Sequence, residues 1–294
     1  MQSRNPIPRV CAVHDLSGFG RSSLAIVSPV ISTMGAQVCP LPTALLSTQT
    51  SGFKDYYFRD LTDDMEQILA HWKTLSLNFE AIYTGFLGSV RQISLVEGLI
   101  DEFSDPMDRL VLIDPVLGDD GELYGPFDST MIEGMRRLIT KADVITPNFT
   151  EAALLLGEPY RQHITVEEIK EWLLRLCEMG PERVIITSVP VTGKDRVSSV
   201  YAYNQNGNRF WKVECTYIPA SYPGTGDMFA SVIVGSLLQR DSLPIAIDRA
   251  IQFVLQAIRA TFGYEIEHRE GVLVERVLDT LRHTVPISTY EMVD

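Results

Sequence analysis

The sequence predicts an α/β fold with a mostly parallel β-sheet, and two observations carry this prediction. Short apolar runs typical of β-strands alternate with helical patterns along most of the chain. Strands that are separated by helices pair in parallel, because a parallel crossover needs a dozen or more residues. The composition agrees with this class, since 45% hydrophobic and 21% charged residues among 294 are ordinary for a globular protein with a sizeable core.

The alternation defines the elements in chain order. The strands are predicted at Val10–His14, Gln37–Pro42, Ala81–Thr84, Arg109–Asp114, Asp143–Thr146 and Arg183–Ser188. Helices between them are predicted at Ser22–Thr33, Leu61–Ser76, Val90–Ser104, Thr130–Lys141 and Val166–Met179. Two helices begin with a capping-box pattern, in which side chains satisfy the first backbone N–H groups: Thr130-x-x-Glu133 and Thr165-x-x-Glu168.

The pattern changes after Ser188. A β-hairpin is predicted from Val197–Asn204 and Asn208–Cys215 around the turn Gln205-Asn-Gly207. Three helices follow, at about Gly226–Leu238, Pro244–Thr261 and Gly271–Leu281. No linker-like tract interrupts the chain, so we expect one domain over residues 1–294, with residues 1–8 as a flexible arm.

Charge and hydropathy exclude two classes of partner. The formal net charge of −13 argues against nucleic acid, whose binding rests on Lys and Arg neutralising phosphates. No apolar stretch approaches the roughly 20 residues that span a bilayer. The N-terminal MQSRNPIPRV lacks the long apolar core of a signal peptide, and we therefore expect a cytoplasmic protein.

The first glycine turn, Gly18-Phe-Gly20, follows a strand and resembles a dinucleotide-binding fingerprint. That interpretation fails, because the third glycine position is Ser23 and no Asp or Glu lies near the end of the next strand, Val38-Cys39-Pro40. Two interpretations remain at this point. The segment is a simple strand-to-helix turn, or Asp15 and Ser17 contact a small substrate while the glycines leave room for it.

A second glycine turn, Gly224-Thr225-Gly226, runs directly into the apolar helical stretch MFASVIVGSLL. Unpaired N–H groups and the positive end of the helix dipole make such a helix start a cradle for an anion. Asp227 lies in the first helical turn, where it can accept a proton from a substrate hydroxyl. Phosphoryl transfer needs this combination of base and anion donors. The alternative is a carboxylate that only stabilises the helix dipole, by about 0.3–1 kcal/mol.

Polar side chains also follow three other predicted strands. They are Asp114 and Asp119 of Asp114-Pro-Val-Leu-Gly-Asp119, Asn148 and Glu151 of Thr146-Pro-Asn-Phe-Thr-Glu151, and the pair Thr187-Ser188. Ligands of open parallel sheets bind at the carboxyl ends of the strands. Carboxylates with water ligands are the usual way to hold Mg²⁺ near nucleotide phosphates, although the same residues also favour turns and helix caps.

The order of these motifs resembles the ribokinase-like vitamin kinases, and most of all the pyridoxal and pyridoxamine kinases, over nearly the whole chain from Arg9 to at least Thr261. This resemblance implies a three-layer sandwich with a central, mostly parallel sheet between helices, and transfer of the γ-phosphate of ATP to a hydroxymethyl group. It makes Asp227 the base and Gly224, Thr225 and Gly226 the anion hole. It also implies an ATP site and a water-mediated Mg²⁺ site on the following residues: Asp119, Tyr124, Asn148, Glu151, Thr187 and Ser188 for ATP, with Asp114 and Glu151 for the metal.

For the vitamin, the resemblance implies contacts from Ser47, Thr50 and Phe86, together with Asp15 and Ser17 of the first turn. Phe86 would stack on a pyridine ring, unless it is an ordinary core aromatic, and Tyr56–Phe58 would belong to a flap. The resemblance also implies a homodimer, and it leaves a monovalent-cation requirement open.

Two substrate clues disagree. Asp15-Leu-Ser-Gly-Phe-Gly20 is similar to the turn of hydroxymethylpyrimidine kinases, whereas that branch usually has Gly-Thr-Gly-Cys in place of Gly224-Thr-Gly-Asp227. Because Asp227 changes the catalytic group itself, we expect a B6 vitamer as the substrate. A pyrimidine kinase and a nucleotide- or vitamin-binding regulator without turnover are the alternatives.

Overall fold

The computed structural model describes residues 6–75, 77–103, 109–125, 127–190, 197–216, 222–282 and 290–293. Several positions used in the sequence predictions lie outside these ranges: residues 1–5 of the arm, the predicted helix ends Ser76 and Ser104, and residue 221 before the second glycine turn.

The strands of the described residues are β1 (Arg9–Ser17), β2 (Gln37–Leu46), β3 (Phe58–Asp60), β4 (Ala81–Thr84), β5 (Leu110–Ile113), β6 (Gly118–Asp119), β7 (Glu122–Leu123), β8 (Val144–Ile145), β9 (Arg183–Val189), β10 (Val197–Asn204), β11 (Arg209–Thr216) and β12 (Tyr290–Met292). Ten of them form one sheet in the order β12-β11-β10-β9-β8-β5-β4-β1-β2-β3, and β6 pairs with β7 separately. The pairs between β2 and β9 are parallel, and the outer pairs at both edges are antiparallel. The predicted α/β fold with a mostly parallel sheet is confirmed.

The helices are α1 (Leu24–Thr33), α2 (Thr62–Thr74), α3 (Val90–Phe103), α4 (Ser129–Ile139), α5 (Phe149–Leu156), α6 (Val166–Glu178), α7 (Thr225–Leu238) and α8 (Leu243–Thr261). Helices α1, α7 and α8 pack into one buried apolar cluster, and α2 to α6 pack into another. The sheet lies between them, because alternate residues of β1 enter opposite clusters: Val10 and Ala12 on one face, Cys11 and Val13 on the other. This is the expected three-layer sandwich.

Some sequence predictions of local structure were wrong. Helix α4 is capped by Asp128, whose Oδ1 accepts the backbone N–H of Thr130 at 2.9 Å, so Thr130 does not open a capping box. The box at Thr165 and Glu168 is confirmed. The stretch predicted as a helix from Gly271 holds short 3-10 turns at Val274–Arg276 and Leu278–Arg282, and Val277, with φ −125° and ψ −6°, lies between them. Sequence reasoning also missed four short strands: β3, β6, β7 and β12.

The carboxyl ends of the central strands meet beside the start of α7. Backbone bonds continue past the strands, from the N–H of Gly85 to Val13 O at 3.0 Å and from the N–H of Asp114 to Thr84 O at 2.9 Å. The N–H of Thr146 reaches Ile113 O in the same way, at 3.3 Å. Helix α7 packs over β4 and β5. The polar residues that follow these strands are thereby held at one edge of the sheet. Within the described residues, every helix is too short or too polar to cross a bilayer.

Candidate active site

Asp227 lies in the first turn of α7 and is held by residues from the other end of the chain. The backbone N–H of Ser23 donates to Asp227 Oδ2 at 2.8 Å, and His14 Nδ1 lies 3.8 Å from Asp227 Oδ1. The Asp227 side chain keeps 16% of its surface exposed, so a ligand can reach it. It is therefore oriented by the Ser23 N–H, with the His14 ring as a neighbour, and is still able to meet a ligand.

The turn before Asp227 has the geometry of an anion cradle. Gly224, the residue before α7, has a φ of 81°, and a Cβ at this position would collide with the Arg21 carbonyl. Only glycine tolerates both conditions without strain. No atom lies within 4 Å of the Cβ position of Gly226. The backbone N–H groups of residues 224–227 have no acceptor among the described residues, as the start of a helix predicts. These unpaired donors lie in the same helical turn as the Asp227 carboxylate.

Burial controls the protonation of Asp227. It raises the pKa of this carboxyl from 3.8 to about 7, the Ser23 N–H lowers it, and the nearby carboxylates of Asp15 and Asp114 raise it further. Tyr83 and Tyr124 also lie within electrostatic range of Asp227. A carboxylate with a pKa near neutrality suits a general base, which must hold a proton and release it again.

His14 is a neighbour of the base that the sequence did not assign. Its side chain is fully buried, and burial lowers its pKa to about 3, so the imidazole is neutral at physiological pH. Neither ring nitrogen has a hydrogen-bond partner among the described residues. The ring meets Tyr83 edge-on, with centroids 4.3 Å apart, and Gly85 packs against it so closely that a Cβ there would clash.

The first glycine turn contacts the base rather than lying apart from it. Asp15 lies inside β1 instead of after it, and only 7% of its surface is exposed. Its carboxylate accepts hydrogen bonds from the hydroxyls of Ser23 and Ser17, the latter at 3.2 Å. Burial raises the pKa of Asp15. Both oxygens of Asp15 are thus engaged inside the protein, and Ser23 links them to Asp227.

Asp114 and Glu151 form a second buried acidic group. Glu151 Oε2 accepts the N–H of Asn148 at 2.8 Å and Oε1 that of Leu117 at 3.2 Å, while Asp114 accepts the hydroxyl of Thr146 at 3.0 Å. Burial raises the pKa of both carboxyls, the hydroxyl of Thr146 lowers that of Asp114, and the charge of Asp114 raises the pKa of Glu151 further. No Lys or Arg among the described residues forms an ion pair with either.

This pair fits a hydrated divalent cation. Two uncompensated carboxylates in one buried region favour a positive ion, and the described residues contain no set of three His, Cys, Asp or Glu side chains that would enclose a metal. Mg²⁺ accepts such a sparse set, because it keeps several water ligands.

The residues expected on the ATP side surround α5 and the β6–β7 hairpin. Asn148 is the N-cap of α5, in a capping box with Glu151, and its amide also donates to Gly118 O at 2.9 Å. The hairpin turns through Asp120 and Gly121, both at positive φ, and the Gly121 N–H donates to Thr150 Oγ1 at 2.9 Å. Tyr124 follows this hairpin and is 42% exposed.

The other ATP candidates are less enclosed. Asp119 at the end of β6 is exposed, and partial desolvation by the surrounding protein raises the pKa of its carboxyl. Thr187 bridges to Asn148 beside β9, which brings the ends of β8 and β9 together. Ser188 is exposed and has a φ of 56°. Tyr124 lies within electrostatic range of Asp114, Asp119, Glu151 and Asp227, so the structure brings the ATP candidates and the base into one region.

The residues expected to bind the vitamin differ in how far they are buried. Phe86 is half-buried and stacks on Phe127 at 5.8 Å, with one part of its surface still accessible. Ser47 Oγ accepts the N–H of Tyr57 at 2.9 Å, and Thr50 is exposed. Residues 56–58, the expected flap, are also exposed. Thr48 Oγ1, which the sequence did not single out, is buried without a partner among the described residues.

The comparisons with known proteins establish the family of the chain. The family model described as phosphomethylpyrimidine kinase matches residues 30–272. A Bacteroides thetaiotaomicron protein, whose proposed function is phosphomethylpyrimidine kinase and whose crystal contains pyridoxal, is 57% identical with a TM-score of 0.94; the match covers 98% of this chain and 100% of that one.

Two pyridoxal kinases are more distant. The Lactobacillus plantarum enzyme is 33% identical with a TM-score of 0.85, over 93% of this chain and 96% of that one. The Sus scrofa enzyme is 27% identical over 272 residues, which is 81% of this chain and 82% of that protein. The chain therefore belongs to the phosphomethylpyrimidine kinase family, within the ribokinase-like superfamily that includes the pyridoxal kinases.

Proposed function

We propose that this protein is an ATP-dependent kinase that phosphorylates the 5'-hydroxymethyl group of pyridoxal, pyridoxamine or pyridoxine. The geometry supports the reaction, because a buried carboxylate of pKa about 7 lies beside a helix start with unpaired N–H groups. The substrate rests on one observation, the pyridoxal in the crystal of the Bacteroides protein that is 57% identical to this chain.

Asp227 is the general base in this proposal. It accepts the hydroxymethyl proton while the donors of residues 224–226 stabilise the charge on the transferred phosphoryl group. ATP supplies that group, and Asn148, Asp119, Tyr124, Thr187 and Ser188 bind the nucleotide. Asp114 and Glu151 would hold Mg²⁺ through water, and the bound ion would supply positive charge against the phosphates.

The vitamer occupies the opposite side, against Phe86, Ser47 and Thr50, with Tyr56–Phe58 as a flap. We also propose a cytoplasmic homodimer. Light scattering measures the oligomeric state, and an assay with Na⁺ and K⁺ salts measures any requirement for a monovalent cation.

A substrate panel tests the proposal. ADP release is measured with ATP and Mg²⁺ and, in parallel, pyridoxal, pyridoxamine, pyridoxine and hydroxymethylpyrimidine. We expect the highest kcat/KM with a B6 vitamer. If no ADP is released with any of the four acceptors, kinase activity is refuted and a binding regulator is favoured.

Hydroxymethylpyrimidine kinase is the second candidate, since the matching family model is described as phosphomethylpyrimidine kinase, an activity on a related pyrimidine. A higher kcat/KM for the pyrimidine in the same panel would establish it and would refute the B6 substrate. Asp227→Asn is the common control, because it should abolish most ADP release with either acceptor.

A further inference from the structure

We infer that Asp15 is a positioning residue that acts on the base Asp227 through Ser23, and that it does not bind substrate itself. The inference rests on the proposed kinase reaction and deepens the account of its base. It replaces the substrate contact that the sequence implies for Asp15.

The connection is a continuous chain of contacts among buried groups. Asp15, at 7% exposure, accepts the hydroxyl of Ser23, and Ser23 is itself only 7% exposed. The backbone N–H of Ser23 then donates to Asp227 Oδ2 at 2.8 Å. Ser17 donates to the other Asp15 oxygen at 3.2 Å, which fixes the plane of the carboxylate. Each hydrogen bond in this series fixes the orientation of the group that makes the next one.

Backbone conformation explains why Ser23 needs this anchor. Its φ of 48° and ψ of −130° are unusual for a residue with a side chain, and its hydroxyl makes no cap bond to α1. Such a conformation persists only where the surroundings impose it. The hydroxyl bond to Asp15 is the contact that holds the Ser23 side chain while its N–H points towards Asp227.

The neighbouring glycine turn adds a second constraint. The Arg21 carbonyl packs against Gly224, and the N–H of Arg21 donates to Glu270 O at 3.0 Å. The segment after the first glycine turn thus contacts the anion cradle through Arg21 and Asp15 through Ser23. Loss of the Asp15 side chain would remove only the hydrogen bond to Ser23 and would leave the contacts of Arg21 in place.

A double-mutant cycle tests the inference. The variants are Asp15→Ala, Ser23→Ala and the double substitution, assayed with the acceptor that the wild-type protein uses best. We expect each single variant to lower kcat by about 10- to 100-fold, the range for losing a hydrogen bond to a charged group, with KM for both substrates nearly unchanged. The double variant should be no slower than the slower single variant, because both break the same chain.

Conservative variants separate this role from others. Asp15→Asn keeps an acceptor oxygen for Ser23, so it should retain most of the wild-type kcat. Ser22→Ala removes a hydroxyl of the same turn that has no hydrogen bond among the described residues, and kcat should stay within about twofold. Ser23→Gly replaces Ser23→Ala if the alanine variant does not fold. Thermal unfolding and ADP binding confirm that each variant is intact.

Three outcomes would overturn the inference. A raised KM for the vitamer in Asp15→Ala with unchanged kcat would mean that Asp15 contacts the substrate. Multiplicative losses in the double variant would mean that the two residues act independently. Wild-type rates in both single variants would mean that the hydrogen bonds from Asp15 through Ser23 to Asp227 are dispensable for catalysis. The proposed function fails separately, by absence of ADP release or by pyrimidine preference in the wild-type protein.

Discussion

Asp227 combines a catalytic position with an environment that opposes its charge. Replacement by Asn keeps the size of the side chain and an acceptor for the Ser23 N–H, but it removes the base. We expect Asp227→Asn to lower kcat by roughly 10²–10⁴-fold, the usual contribution of a general base. ADP binding, measured by calorimetry, should be nearly unchanged. A variant with wild-type kcat would remove Asp227 from the role of base.

The pKa of the same residue sets a pH dependence. The base works only when ionised, and burial raises its pKa to about 7. Therefore kcat/KM should fall as the pH decreases through about 7, with an acid limb that reports the free enzyme. The Asp15 carboxylate raises this pKa, so Asp15→Asn should move the limb to lower pH. A limb that stays fixed in Asp15→Asn would assign it to another carboxylate.

Protonation also links Asp227 to stability. Its folded-state pKa exceeds the unfolded value of 3.8, so the folded protein binds the proton more tightly. This contribution is complete below pH 4 and is lost as the pH rises to about 7. Asp227→Asn carries no charge and lacks this pH dependence, so its stability relative to the wild type should increase by up to about 4 kcal/mol between pH 4 and pH 8. Denaturant unfolding at the two pH values measures it, and an equal difference at both would contradict it.

At the scale of elements, Gly226 in the first turn of α7 lowers the stability of the helix but leaves space for a ligand at the anion cradle. Alanine at Gly226 would meet no atom within 4 Å, and it favours helix by up to about 1 kcal/mol over glycine. The new methyl group would, however, occupy the open space above the anion cradle. We expect Gly226→Ala to unfold at an equal or higher temperature and to lose most of its kcat.

A matched glycine controls this prediction. Gly98 lies in the middle of α3, is exposed and also has nothing within 4 Å of its Cβ position. Gly98→Ala should give the same gain in melting temperature with unchanged kcat. Equal activity in the two variants would show that residue 226 does not border the reacting groups.

A comparison of the capping boxes of α5 and α6 distinguishes a Glu that only caps a helix from a Glu that also binds a metal ion. Both use a Glu at the third helical position, but Glu151 is buried beside Asp114 whereas Glu168 is accessible. We expect Glu151→Gln to raise the Mg²⁺ concentration needed for half-maximal rate by at least about tenfold, as the loss of a buried ligand does. Glu168→Gln makes the same change in a similar cap, which a Gln side chain can also complete, and should leave the Mg²⁺ dependence unchanged. An equal Mg²⁺ dependence would reduce Glu151 to a cap.

The elements also show what the sequence can predict. The central strands and most helices follow from periodicity, because residues such as Val10, Ala12 and Val13 alternate between two buried faces. The hairpin β6–β7 was missed although Asp120-Gly121 is a typical hairpin turn, since its strands have two residues each. The segment after Gly271 was wrongly predicted as one helix, because its buried residues, Val272, Val274 and Val277, lie in and next to a 3-10 turn rather than on one helical face.

The site was predicted unevenly for a related reason. Asp227 and its glycine turn carry a local signal, so their neighbourhood could be inferred. The contribution of Ser23 is a backbone N–H at an unusual φ, which no side-chain pattern encodes. His14 and Tyr83 meet the base only because β1 and β4 are neighbours in the sheet. Long-range pairing of this kind is decided by topology.

At the scale of the whole molecule, the two apolar clusters share one sheet. Residues of β1 enter both clusters in alternation, and α7 of one layer carries the base that residues of β1 and its following turn orient. Loss of either helical layer would expose one face of every central strand to water. The layers therefore have no independent way to unfold, and the predicted single domain should behave as one cooperative unit.

Calorimetry tests this unit directly. We expect one heat-absorption peak for the full chain, with equal calorimetric and van't Hoff enthalpies at low scan rate. A non-hydrolysable ATP analogue with Mg²⁺ should move the whole peak to higher temperature, because a ligand that binds only the folded state stabilises all of it by mass action. The variant Asp227→Asn, which should still bind the nucleotide, should show the same shift. Two peaks, or an analogue that moves only part of the signal, would divide the chain into separate domains and place the nucleotide on one of them.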